Sequence, residues 1–216
     1  MRLFFAVALP DELRARLAAL GRELAEAAPL PRVGWVAPEN IHLTLRFQGD
    51  ASERDVELAR DAAREAAGLA APLALELAGA GSFPGGRDPR VVWVGVREGP
   101  GLVALRALAG DLERGLLARG FAAADHPFSP HVTLGRARPP RGRGARGREA
   151  HEPSDRTCTP GGHHELVRAL ARQAAFAGGT FDVPGFVLYE STLRGGRSPL
   201  YSPVETFALG APSRVT

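Results

Sequence analysis

Two stretches of this chain repeat one pattern. The first is His42-Leu43-Thr44-Leu45, inside ENIHLTLRFQGD (39–50), and the second is His131-Val132-Thr133-Leu134, inside FSPHVTLGR (128–136). Alternating apolar and polar residues have the two-residue period of a β-strand with one buried face. On such a strand His42 and Thr44 share one face, with Leu43, Leu45 and Phe47 on the other. His131 and Thr133 likewise oppose Val132 and Leu134. A fold that carries both strands must bury two apolar faces and present two imidazole–hydroxyl faces. The repeat predicts an internal duplication with a pseudo-twofold axis and one cleft lined by two His and two Thr. By the same parity Arg46 faces the cleft. Gly135 can break the second strand, so parity does not place Arg136.

The rest of the chain supplies elements to frame these strands. Leu3–Leu9 reads as a strand. Leu13, Leu17, Leu20 and Leu24 form one apolar stripe on a helix near 10–27, with Pro10 and Asp11 suited to its first turn. A strand at about 41–47 carries the first motif. Ser52-x-x-Asp55 reads as a capping-box variant that opens a helix to about 68. Leu73–Ala78 and Val91–Val96 read as strands separated by the turn-rich GSFPGGRDP, and the glycines of 79–90 suggest a loop that could gate the cleft. Leu105, Leu108, Leu112 and Leu116 mark another amphipathic helix. Phe128–Leu134 is the second motif strand. A short helix is expected near 163–173, then strands at Phe186–Thr192 and Tyr201–Leu209, with Gly195-Gly196 in the turn between them. This order predicts an α+β fold: two pseudo-symmetric lobes of mainly antiparallel sheet, with flanking helices, around a central cleft. All 216 residues are expected to form a single bilobal domain.

All 27 basic residues are arginine, and that absence of lysine excludes two chemistries. A P-loop needs its Gly-Lys-Ser/Thr, and covalent lysyl intermediates need an amine. The net charge of +3 is uneven. Residues 136–148 hold six Arg and no acid, so taking six from +3 leaves −3 for the remainder. The segment 138–162 is rich in Arg, Gly and Pro and reads as a flexible insertion, able to touch RNA by electrostatics. Its Gly142-x-Gly144-x-x-Gly147 matches a dinucleotide fingerprint but lacks the βαβ setting, so no cofactor is expected. His151, Cys158, His163, His164 and Glu165 match no standard zinc spacing, so no metal is expected. The one cysteine excludes an internal disulfide. Pro10, Asp11 and Glu12 cut short the apolar start, against a signal peptide. No apolar run is long enough for a membrane helix. A cytoplasmic monomer that does not engage membranes is expected.

The paired motifs suit phosphoryl chemistry. One imidazole can take a proton from an attacking water or hydroxyl while the other gives one to the leaving oxygen, both near neutral pH. Threonine hydroxyls can donate to the non-bridging phosphate oxygens. The residues do not say which His is the acid. Arg46 is a candidate substrate contact. Phe83 and Trp93 read as core or cleft lip, and His126 as a loop residue.

The chain resembles the RNA 2′,3′-cyclic phosphodiesterases, also called 2′-5′ RNA ligases, of the 2H phosphoesterase superfamily. The likeness rests on Arg2-Leu3-Phe4-Phe5-Ala6, on Trp35-Val36-x-Pro38-Glu39-Asn40-x-His42-Leu43-Thr44-Leu45-x-Phe47-x-Gly49, and on Pro89-Arg90-Val91-Val92-Trp93. It extends to Phe128-Ser129-Pro130-His131-Val132-Thr133-Leu134-x-Arg136, Phe186-x-Leu188-Tyr189-x-Ser191 and Tyr201. The resemblance implies metal-independent hydrolysis of RNA or nucleotide 2′,3′-cyclic phosphate ends to 2′-phosphomonoesters, with no cofactor. It implies that His42 is the proton donor and His131 the acceptor, and that Thr44, Thr133 and Arg136 hold the phosphate. The partners implied are RNA with cyclic phosphate ends or small cyclic nucleotides. The alternatives are a non-catalytic RNA-binding module, 2′-5′ RNA ligation, or action on another cyclic phosphate. The segment at about 140–164 departs from the family pattern and bears on substrate preference.

Overall fold

The computed structural model describes residues 1–28, 33–85, 89–137, 160–193 and 198–210. The chain runs β1 (Arg2–Ala8), α1 (Asp11–Ala27), β2 (Val33–Trp35), a single 3₁₀ turn (Pro38–Asn40), β3 (His42–Asp50) and α2 (Glu53–Leu69). It continues through β4 (Leu73–Phe83), β5 (Val91–Val96), α3 (Pro100–Ala118), β6 (His131–Ala137), α4 (Pro160–Arg172), β7 (Ala177–Val183), β8 (Gly185–Thr192) and β9 (Leu200–Ala208). The strands form one sheet in the order β7-β4-β5-β6-β3-β1-β8-β9, with β2 added on β6. Every pairing is antiparallel. The expected α+β class and its two halves are present. β3 and β6, the two motif strands, meet at the centre, and only Leu43↔Val132 pairs them.

The helices cover one face of the sheet. The stripes Leu13, Leu17, Leu20, Leu24 and Leu105, Leu108, Leu112, Leu116 are all buried, as their spacing requires. The stripe on α2 is mostly alanine (Ala59, Ala62, Ala63, Ala66, Ala67). Small side chains let α3 come close: a Cβ at Gly115 would stand 3.2 Å from that of Ala62. Ser52 and Asp55 close the expected capping box at the start of α2. From β1 and the motif strands, Leu3, Phe5, Val7, Leu43 and Val132 point into this core, each at most 1% exposed. No described helix is long and apolar enough to cross a membrane.

Several expectations need correction. β4 does not stop at Ala78 but runs to Phe83, so the first five residues of the expected gate at 79–90 are strand. Its glycines serve packing: Gly81 lies so close to Trp93 that a Cβ there would meet the indole at 2.5 Å. β6 begins at His131 rather than Phe128, and α4 begins at Pro160 rather than 163. β2 and β7 add to the elements that periodicity predicts. The expected insertion falls mainly at 138–159, outside the described residues, as do His151, Cys158 and the Gly195-Gly196 turn.

Candidate active site

The centre of the sheet sets the site. With Leu43 opposite Val132 in antiparallel register, the next positions put His42 across from Thr133, and Thr44 across from His131. Each motif histidine therefore stands cross-strand from the threonine of the other motif. The predicted union of two His and two Thr is present.

A matched pair of β-bulges governs the positions beyond each motif. Between β1 and β3, Ala6 pairs with Thr44 and Phe5 with Arg46, which leaves Leu45 unpaired. Between β5 and β6, Trp93 pairs with Thr133 and Val92 with Gly135, which leaves Leu134 unpaired. Both bulges fall three residues after the motif histidine. An extra residue reverses strand parity beyond it and re-aims the side chains. Phe47 and Arg136, five residues after their histidines, are thereby turned to the cleft face. Phe47 is 48% exposed rather than buried in the core as simple alternation expects.

The same reversal turns Arg46 away. Its Nε donates to Glu113 on α3, and its other nitrogens donate to the carbonyls of Phe47 and Ala122. Glu113 also accepts from the backbone N–H of Ala124 at 2.8 Å. Arg46 thus braces the segment that leads into β6, and its guanidinium is occupied there. Its side chain still lines a cavity shared with Thr44 and His131, with the guanidinium committed to these partners.

Both imidazoles are held in the same way. His42 Nδ1 lies 2.7 Å from the carbonyl of Asn40, and His131 Nδ1 lies 2.7 Å from that of Ser129. A carbonyl only accepts, so each Nδ1 carries the hydrogen and each Nε2 is left to exchange protons. Nε2 of His42 also lies 3.0 Å from Thr44 Oγ1. Asn40 is fixed in turn by its Nδ2–H donating to Pro199 O at 2.9 Å. Arg136 donates to Thr133 Oγ1 at 3.3 Å.

Burial holds both imidazoles below the ordinary histidine range, because the charged form loses hydration. The hydrogen bonds to Asn40 and Ser129 oppose this, while the Arg136 cation adds to it at both rings. His131 lowers His42 further by Coulomb repulsion. An arriving phosphate anion reverses those charge effects.

Two cavities meet at the motif strands. The smaller, of about 440 Å³, contains His42, Thr44, Thr133 and Arg136, with Arg2 and Tyr201 at its sides. The larger, of about 810 Å³, reaches His131 from the 123–129 segment and includes His126. Thr44 and Phe47 line both. Aromatic rings back each imidazole. Phe4 lies 5.0 Å and Tyr201 5.4 Å from His42, whereas Phe83 meets His131 edge-on at 5.2 Å and packs on Trp93 at 5.1 Å. Phe83 and Trp93 are therefore the cleft wall, as the sequence suggests. Asn40, Arg2 and Phe47 join the site without having been candidates in the sequence. The signal for Phe47 and Arg2 lies in the bulge, which alternation alone does not reveal.

Among the described residues no group of three or more His, Cys, Asp or Glu is placed to hold a metal ion.

Residues 7–93 match the LigT-like phosphoesterase family. The RNA 2′,3′-cyclic phosphodiesterase of Aquifex aeolicus is 32% identical over 178 residues, 82% of this chain and 81% of that one. The protein of the same name from Geobacillus stearothermophilus is 30% identical over 210 residues; the match takes in 97% of this chain but only 58% of that longer protein. The crystal structure of E. coli LigT complexed with 3′-AMP superposes with a TM-score of 0.67 at 28% identity, over 97% of this chain and 98% of that one.

Proposed function

Since the chain belongs to the LigT-like phosphoesterase family, we propose that it is a hydrolase that opens the 2′,3′-cyclic phosphate end of RNA, or of a small nucleotide, to a 2′-phosphomonoester. Relatives named RNA 2′,3′-cyclic phosphodiesterase support this reading. The observation that carries it is the central register, which sets each motif histidine opposite the other motif's threonine.

The phosphate sits between the two strands. Thr44 and Thr133 donate to its non-bridging oxygens, and Arg136 neutralises the charge that develops there. His131 Nε2 takes a proton from water as the water oxygen attacks phosphorus. The bond from phosphorus to O3′ breaks on the far side. His42 Nε2 gives its proton to that oxygen, leaving a 3′-hydroxyl and a 2′-phosphate. His42 enters the step protonated and His131 neutral, and they leave with these states exchanged. No step needs a metal ion. The proposed setting is the cytoplasm, where a chain with one cysteine needs no disulfide, and the proposed state is a monomer.

Purified protein in EDTA is expected to convert 2′,3′-cyclic AMP, or an oligonucleotide with a cyclic end, to the 2′-phosphate. His42→Ala and His131→Ala are each expected to remove this activity. Full activity in both variants sinks the mechanism.

A further inference from the structure

The pseudo-twofold relation of the two motifs leaves one difference that this chemistry does not explain. Five residues after His131 stands Arg136, while five residues after His42 stands Phe47. Both face the cleft because of matching bulges. A guanidinium is nevertheless present on the Phe47 side. Arg2 of β1 shares the cleft face of Phe4, and its Cζ lies 5.3 Å from the centre of the Phe47 ring.

We propose that Arg2, laid against Phe47 at the rim of the smaller cavity, is a specificity residue that takes the phosphodiester joining the cyclic-phosphate nucleotide to the rest of an RNA strand. This rests on the proposed function. Four observations carry it. Arg2 lines the cavity that holds His42, Thr133 and Arg136. Its only ion pair among the described residues is with Asp50, at 4.0 Å, too long for a hydrogen bond, between side chains 39% and 92% exposed. Its side chain donates no hydrogen bond among the described residues, so the ring face of Phe47 positions it and its N–H edge stays available to an anion. Phe47 lies three residues beyond Thr44, within about 10 Å along the strand, so the long Arg2 side chain laid on its ring can reach a phosphate next to the scissile one. A mononucleoside cyclic phosphate carries one anionic group, which Thr44, Thr133 and Arg136 already serve. A second guanidinium has a partner only when the substrate is a strand.

The test compares kcat/KM for a short oligoribonucleotide ending in a 2′,3′-cyclic phosphate with that for 2′,3′-cyclic AMP, in wild type, Arg2→Gln and Arg2→Lys. In Arg2→Gln the oligonucleotide-to-mononucleotide ratio is expected to fall about tenfold, as for loss of a charge-assisted hydrogen bond. The dependence of log kcat/KM on log salt for the oligonucleotide should become shallower by about 0.7, the value for one phosphate contact on a single strand. Arg2→Lys should recover part of the ratio, since it keeps the charge but not the planar fork, and it carries the comparison if Arg2→Gln melts early. An unchanged ratio overturns the inference, whether both activities persist or both fall together. In that case wild-type turnover leaves the proposed function standing. Wild-type protein inert on both substrates overturns the two together.

Discussion

Asn40 offers a sharp test of how the site is held, because it lies outside both motifs. It is the one buried polar side chain among the described residues, at 8% exposure. Its Nδ2–H donates to Pro199 O at 2.9 Å, and its own carbonyl accepts from His42 Nδ1. Asn40→Ala keeps the second bond, which belongs to the backbone, and deletes the first. Stranding a buried acceptor costs about 1–3 kcal/mol. Here the surroundings are only part-buried, so water reaches the freed carbonyl and the lower range of about 1–2 kcal/mol applies. For a chain of this size that is a fall in melting temperature of about 2–8 °C. The tie to Pro199 also steadies the carbonyl that orients His42, so kcat is expected to drop about tenfold with KM little changed, as for a slightly misplaced catalytic group. Thermal melts and steady-state kinetics on 2′,3′-cyclic AMP measure both. A melt lowered by this amount with kcat intact refutes the positioning argument and leaves Asn40 a purely structural residue. Asn40→Asp gives a second readout. It loses the same bond but adds a carboxylate near His42, which favours the imidazolium, so the alkaline limb of kcat/KM should move to higher pH.

Three further outcomes rest on the same geometry. Both imidazoles of the free protein are held below the ordinary 6.5, and the donor must be protonated, so kcat/KM should be lost as pH rises through a midpoint under 6.5; kcat should persist to higher pH because bound phosphate favours the imidazolium, and Arg136→Gln should raise the kcat/KM midpoint. A substrate with a p-nitrophenolate leaving group needs no proton from the protein, so His42→Ala should lose far less activity on it than on a cyclic phosphate while His131→Ala loses both alike; the opposite pattern would exchange the two roles. Gly81→Ala would put a Cβ 2.5 Å from the Trp93 ring, an overpacking of about 1–3 kcal/mol, and because Trp93 backs Phe83 and Phe83 meets His131, the melt and kcat should fall together. A fall in the melt alone would make that wall mere packing.

What can be read from the sequence divides along a physical line. Strong apolar repeats reveal α1, α3 and both motif strands, because Leu13, Leu17, Leu105 and Leu112 have no other way to leave water. The strands that periodicity misses or cuts short contain glycine where backbones come close. β7 begins Ala177-Gly178-Gly179, and a Cβ at Gly178 would stand 2.6 Å from that of Leu77 on β4. Such glycines read as loop until the neighbouring strand is seen. At the site, the four motif residues are legible because they stand before the bulges. Simple alternation misplaces Phe47 and Arg46 because they stand after one. No local feature of LTLRF announces that Leu45 will be skipped, since the bulge depends on the pairing with β1.

Two nearly identical halves are proposed here to take opposite roles. Repetition gives each histidine the same carbonyl tie at Nδ1 and the same threonine across the strands, and nothing in that pattern distinguishes acid from base. The surroundings differ. Phe4 and Tyr201 close around His42, and Thr44 already meets its Nε2, on the side of the smaller cavity. Among the described residues His131 meets a single ring, Phe83, and borders the larger, more open cavity through which water can arrive. Each ring's charge opposes the other's, so the pair is reluctant to hold two protons. Arg136 depresses both rings, and a bound phosphate offsets it. A substrate anion therefore draws in the first proton, and mutual repulsion resists the second. One proton shared by two imidazoles, on opposite sides of a phosphate, is the state that an in-line displacement requires, and water access favours leaving His131 as the unprotonated partner.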